Sequence, residues 1–310
     1  MSNPPFPPFD FDTSAISSKF AGRLKWIVLA LILVPIVILV WLAKGMLTDF
    51  LWFSALGYED IFITVLMSKI VLFLIGFLFV FALVSGNLFY INRKTTGPVE
   101  ADIPDELMGI LKKLILLGCL IVSLIVAIIL GSMLASKWEL FLRFTNAAEF
   151  GVNDPLYAKD ISFYVFQLPI YSFLQGWFLA TMAATIVATS ALAFLNFTLR
   201  GAAFTLTTEL RTQLIVLGAL AVVLISLGYW IDRWELVRSE QGIVFGAAYA
   251  DVFARQPAYL ALCIIGALIA LLMLIGTFIG KIRLSLIPVG LWVILIIDIS
   301  KHQMTSLLMS

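Results

Sequence analysis

The chain has 310 residues, of which 62% are hydrophobic and only 13% charged, with a formal net charge of +1. A soluble domain of this size needs far more polar surface, so composition excludes an ordinary globular protein and points to a polytopic membrane protein. The near-zero net charge gives no bulk attraction to nucleic acid, and no nucleic-acid partner is expected.

The opening "MSNPPFPPFDFD" is too rich in proline to be helical. Residues 1–25 are expected to form a disordered cytoplasmic arm, or else to dock their Phe-Pro pairs onto a partner. Seven apolar stretches follow, near Trp26–Leu47, Phe62–Tyr90, Ile110–Leu134, Ile170–Phe197, Leu214–Ile231, Ala258–Ile279 and Leu284–Ile299. Each approaches the length needed to span roughly 30 Å of hydrocarbon at about 1.5 Å per residue. The last is the shortest and contains Pro288 and Gly290, so it reads as a full or a partial span. The first exceeds a signal-peptide core and no small-x-small cleavage site follows, so it is expected to stay as an anchor. The fold class expected is all-α: a seven-span bundle over residues 26–300, with interfacial helices in the outer loops and an outer tail at 301–310.

Lysine and arginine set the orientation. With the N-terminus cytoplasmic, the inner segments hold Lys19, Arg23, Lys25, Arg93, Lys94, Lys112, Lys113, Arg200, Arg211, Lys281 and Arg283, mostly close to helix ends. The outer basic residues are diluted by carboxylates, so the bias predicts a multi-pass protein of the bacterial inner membrane with its N-terminus inside. Three segments then face out as caps: 48–61, 135–169 and 232–257. They are aromatic as well as polar. "KWELFLRF" places its apolar side chains largely on one helical face and reads as an interfacial helix. "YWIDRWEL" sets Trp230 and Trp234 one turn apart, at the level where tryptophan anchors a helix end. In "FGVNDPLYAKDISFYVFQLP", Asn153-Asp154-Pro155 marks a turn. Asp160 and Ser162 are candidates to cap a short helix, and Pro169 is placed at a helix start.

Four stretches carry a family resemblance: "LWFSALGYEDIFITVLMSKIVLF", "FGVNDPLYAKDISFYVFQLPIYSF", "YWIDRWELVRS" and "GAAYADVFARQPA". In this order, from about Asp49 to Pro257, the chain resembles the N-terminal membrane region of Uncharacterised Protein Family 0182, a group of large bacterial integral membrane proteins. The resemblance implies the fold and the membrane location, and a longer protein with a large extracytoplasmic region after the spans. The closing "KHQMTSLLMS" departs from the family's continuation, so a truncated paralogue, a split gene product or a fragment is expected. The resemblance implies no activity.

Candidate chemistry is sparse. There is no G-x-S-x-G, H-E-x-x-H, Walker A or dinucleotide-binding glycine pattern. His302 is the single histidine, which removes a Ser-His-Asp triad or bis-histidine haem within the chain. Cys119 and Cys263 lie in apolar runs without a C-x-x-C neighbour and read as packing residues. No catalytic residue, metal or cofactor is expected; bound lipids are. Two intramembrane charges stand out, because such a charge is costly unless paired or wet. Lys69 is expected to snorkel outward or pair with Asp49 or Asp60, the alternative being a role in ion or substrate passage. Asp298 is expected to pair with Lys301 at a helix end. Ala180, Ala184 and Ala188, Gly276 and Gly280, and Gly266 and Ala270 form small-xxx-small rows that mark close helix contacts.

The function expected is a non-enzymatic scaffold or accessory subunit that presents its outer cap to another membrane or extracytoplasmic protein. The candidate partner surface is Asp154, Lys159, Asp160, Trp230, Trp234 and Arg238. The alternative is a transporter or channel component using Lys69. A membrane enzyme using Asp154 or Asp160 as an acid is the least favoured.

Overall fold

The computed structural model describes residues 43–94, 105–199, 207–239 and 246–280, with single positions at 29, 33, 37, 40 and 290. It divides into two compact units, Met1–Met67 and Ser68–Ser310.

In the first unit, residues 43–55 are helical and a tight corner follows. Gly57 takes a left-handed φ of 75°, and Tyr58 N–H bonds back to the Phe53 carbonyl at 2.9 Å, closing the helix end. The Ser54 hydroxyl donates to Glu59, and Phe62 packs its ring 5.6 Å from Phe50 and 5.8 Å from Phe53. The expected outer loop at 48–61 is therefore a helix–helix corner. Its polar loop portion shrinks to three residues, because aromatic packing lets helix run almost to the bend.

Helix α1, Glu59–Lys94, starts at this corner. The chain continues through α2 (Asp105–Ala135), a short α3 (Trp138–Thr145), α4 (Leu168–Leu199), α5 (Thr208–Glu235) and α6 (Gln256–Ile279). Among the described residues, five helices are long and apolar enough to cross a membrane: Glu59–Lys94, Gly109–Ala135, Phe163–Leu199, Thr208–Arg238 and Asp251–Ile279. They correspond to the second through sixth expected spans. The first and seventh, with the arm at 1–25, the tail at 301–310 and Asp298, lie wholly or mostly outside the described residues. The helix expected at "KWELFLRF" is α3.

The helices overrun a bilayer: 36 residues in α1 correspond to about 54 Å. Charge placement identifies the part that fits. The stretches between ionisable residues are Ile70–Asn92, Leu114–Ser136, Thr212–Ile231 and Gln256–Gly280. Each is roughly 20–25 residues, or about 30–38 Å of helix, which matches the hydrocarbon thickness. Lys69 and Arg93 thus bound the uncharged stretch of α1 on opposite sides.

Two of the long helices begin with a widened turn. A π-helical turn at Phe163–Gln167 leads into α4, and another at Asp251–Arg255 leads into α6. Leu168 N–H bonds to the Phe163 carbonyl and Gln256 N–H to the Asp251 carbonyl, five residues back. A proline follows each directly, Pro169 and Pro257. Proline lacks a donor and its ring clashes with the carbonyl four residues earlier, and a wide turn relieves both. Pro169 is the second residue of α4, at the helix start expected for it, and the wide turn continues the helical run back to Ile161.

Two glycines fix the closest helix approach. A Cβ on Gly131 of α2 falls 3.1 Å from Phe77 N and 3.2 Å from Phe73 O of α1; one on Gly76 falls 3.0 Å from Leu134 Cδ2. Around this crossing Val80, Val84, Leu88, Ala127 and Leu130 are buried, and the Trp177 indole donates to the Leu130 carbonyl at 2.9 Å. The Ala180, Ala184 and Ala188 row packs against this cluster. Gly266 and Ala270 are buried on α6, where neighbouring core residues meet α5. Gly280 plays no such part: at φ 74° it is the left-handed cap of α6.

Gly131→Ala is expected to destabilise the fold by about 1–3 kcal/mol, because backbone atoms rather than a flexible side chain stand in the way. Gly86→Ala, which meets nothing within 4 Å, is the control. Thermal unfolding in detergent checks this, and equal midpoints for the two variants would contradict it.

Candidate functional site

The end of the second unit that carries α3 folds residues 147–167 into a small closed structure over α4 and α5. Its frame is a hairpin. Asn153 and Asp160 form an antiparallel bridge, Asp154 N–H bonds to the Lys159 carbonyl at 2.8 Å, and Ile161 N–H to the Val152 carbonyl at 3.0 Å. The turn at Pro155–Tyr157 forces Ala158 to a φ of 52°, a region costly for a residue with a Cβ.

Two carboxylates hold the hairpin shut. Asp160 accepts from three backbone amides: Gly151 at 2.8 Å, Ser162 at 2.8 Å and Phe150 at 3.1 Å. It caps the helical run beginning at Ile161, as expected. Ser162 provides no cap to the turn after it. The bonds from Ser162, then those from the Phe150 and Gly151 amides, pull the Asp160 carboxyl down to about 2. Asp154 is only 6% exposed and accepts from Tyr157 N–H at 2.6 Å and the Tyr164 hydroxyl at 3.1 Å. A carboxylate so buried cannot belong to an exposed partner surface, which corrects that expectation: it braces the turn from within.

Aromatic and cationic groups dock the hairpin on α5. The Tyr157 hydroxyl donates to the Arg233 carbonyl at 2.7 Å, and burial pushes its phenol upward. Lys159 Nζ sits 4.4 Å from the Phe163 ring centre and 5.3 Å from that of Trp234. The Arg233 guanidinium lies 4.0 Å over Trp230, whose ring is 6.0 Å from that of Trp234. Cations held on ring faces gain about 0.5–1 kcal/mol each when exposed and more when desolvated. Arg238 is exposed and 3.8 Å from Glu235. Among the expected partner-surface residues, the structure thus gathers Asp154, Lys159, Asp160, Trp230 and Trp234 into one cluster, with Arg238 at its margin. Arg233, Tyr157 and Tyr164 belong to the cluster and sequence reasoning missed them. For Arg233 the signal was its regular spacing with Trp230 and Trp234 along one helical face.

Lys69 lies apart. It is exposed, and its ammonium stands 5.6 Å from the Trp138 ring centre, at the start of α3. An aromatic face occupies the place where a carboxylate was expected. Asp251, also missed, is 3% exposed, pairs with Arg255 at 2.9 Å and accepts from Ala248 N–H at 3.0 Å, fixing the second wide turn.

By length and composition, these helices define a polytopic membrane protein with a folded cap at one end. The chain belongs to the Uncharacterised protein family (UPF0182), whose profile matches residues 25–309. The match continues past Pro257 and into the closing residues, correcting the expected departure there. UPF0182 proteins of Paenarthrobacter aurescens and Rhodococcus erythropolis are 31% and 32% identical over 80% and 81% of this chain. One from Trichodesmium erythraeum is 30% identical over 75%. The chain spans about a quarter of the length of these bacterial relatives: 25%, 27% and 26%. No solved structure matches.

The Asp160 carboxylate is depressed relative to an unfolded value near 4, so its contribution is complete above about pH 4 and lost as pH falls toward 2. Pepsin is therefore expected to nick the hairpin between Phe150 and Leu156 only in that window. Asp160→Ala is expected to be nicked by chymotrypsin already at pH 7. A wild-type hairpin equally resistant at pH 4 and pH 2, or a resistant variant, contradicts this role.

Proposed function

We propose that this protein acts by binding, not catalysis, as a scaffold or accessory subunit whose cap docks a folded extracytoplasmic protein region, with the N-terminus on the cytoplasmic side. One observation carries the reading. The hairpin turns two carboxylates inward and three apolar side chains outward: Asp154 is buried and Asp160 bonds to backbone amides, while Phe150, Val152 and Ile161 are 51%, 56% and 41% exposed. An apolar patch on a rigid, internally hydrogen-bonded loop is the ordinary signature of a docking surface. The greater length of the relatives supplies a candidate occupant: the region that follows the spans in the longer proteins.

This shifts the binding chemistry. The charges named from sequence support the platform; the contacts are Phe150 and Val152, with Lys159 and Arg238 at the rim. Rim charges contribute little to affinity beside buried apolar anchors.

A second reading has its own observation. In the apolar zone Thr189 Oγ1 and Gln213 Oε1 are buried without a hydrogen-bond partner. Unpartnered buried polar atoms favour a wet path and hence the transporter reading.

A photoreactive side chain at Phe150, introduced in the native host membrane, tests the first reading. Docking gives a discrete protein adduct that Val152→Ser reduces severalfold; lipid adducts alone overturn it. For the second, proteoliposomes of the wild type are expected to show background ion flux. A flux that Lys69→Met or Gln213→Leu abolishes favours transport.

A further inference from the structure

α1 ends its uncharged stretch at Asn92 and places Arg93 and Lys94 in its last turn. These three form the polar wall of an open recess of about 670 Å³. Asn92 is held from behind: its side-chain oxygen accepts from the Asn196 amide of α4 at 3.2 Å. The rest of the lining is apolar, from Phe89, Tyr90 and Leu116. Gly86 completes it, and a Cβ there meets nothing within 4 Å, so the glycine keeps the space open.

The recess is amphipathic and sits where the apolar zone ends, the depth at which a phospholipid changes from acyl chain to phosphate. Among the described residues the surrounding charge is positive. Lys112 and Lys113 of α2 are exposed at this end, and Arg211 stands near the start of α5 against Glu209. Two adjacent cations match a phosphodiester with no compensating charge, whereas the ammonium of a zwitterionic headgroup meets like charge. A free phosphate uses only the polar wall; a lipid uses wall and floor together. We propose that this recess is a specific site for an anionic phospholipid, its phosphate on Arg93 and Lys94 and its chains over Phe89 and Leu116. The site lies at the opposite end of α1 from the cap and is independent of the docking reading.

Native mass spectrometry of the full chain in mild detergent tests this, with phosphatidylglycerol, cardiolipin and phosphatidylcholine as probes. The two anionic lipids are expected to be retained preferentially over phosphatidylcholine. Arg93→Gln/Lys94→Gln is expected to lose this preference by roughly tenfold. Leu116→Trp, which fills the floor while leaving the charges, is expected to lower retention of anionic lipid as well. Lys112→Gln/Lys113→Gln, outside the recess, is expected to lower anionic retention far less than the recess variant does, and millimolar inorganic phosphate is expected not to compete. Equal retention of charged and zwitterionic lipids overturns the proposal, as does wild-type binding by both recess variants. An equal loss in the Lys112/Lys113 variant, or displacement by phosphate alone, also overturns it, by reducing the effect to a diffuse basic surface or an anion site. Monodisperse elution and an unchanged unfolding midpoint for Arg93→Gln/Lys94→Gln separate loss of the site from loss of the fold.

Discussion

The cost of moving an ionised group out of water governs this molecule. A charge at the centre of a bilayer is unfavourable by several kcal/mol, and four described helices respond alike by keeping ionisable residues out of roughly 30 Å of their length. Everything else takes its place from that zone. Lys69 and Arg93 mark its two edges on α1. Trp138 meets Lys69 at one edge, where an indole bridges wet and dry surroundings. Beyond that edge gather the carboxylates, cations and turns that the zone excludes, and there the cap folds.

Within the zone the same constraint acts on uncharged polar groups. Thr181 and Thr185 are fully buried and return their hydroxyls to the carbonyls one turn back, at 2.9 and 2.7 Å. Gln213 donates to the Asn87 side chain at 2.8 Å and Gln175 to the Leu224 carbonyl at 2.8 Å, tying α5 to α1 and to α4. In lipid, where no hydrophobic effect draws helices together, such bonds and close glycine crossings hold the bundle. The cap solves the complementary problem. Outside the zone water competes for every polar group, so the hairpin buries Asp154 and uses Asp160 to occupy three amides that would otherwise be free to hydrate.

The parts legible in the sequence are those set by local chemistry. Long uncharged runs give spans, an amphipathic octapeptide gives α3, and an aspartate before an apolar run gives a helix cap. The less legible parts depend on partners distant in the chain. Gly131 falls in a small-xxx-small row with Ser123, Ala127 and Ala135 that sequence reasoning missed, whereas Gly76 has only Leu72 and Val80 at that spacing and gives no local signal. Asp154 looked like a surface charge because nothing local signals that Tyr164, ten residues on, covers it. The wide turns were hidden because proline within an apolar run reads first as a boundary.

The central claim is that the uncharged stretches are dry, with water beginning at Lys69 on one side and Arg93 on the other. Spin labels stepped along α1 from Met67 to Lys94 in lipid bilayers, probed by collision with oxygen and with a water-soluble nickel chelate, test it most directly. The account predicts oxygen-dominated relaxation from about Leu72 to Tyr90, with crossover to the chelate near both charged ends, and chelate exclusion at the buried positions Val80, Val84 and Leu88. Chelate access at those buried positions would contradict it, by revealing water inside the bundle.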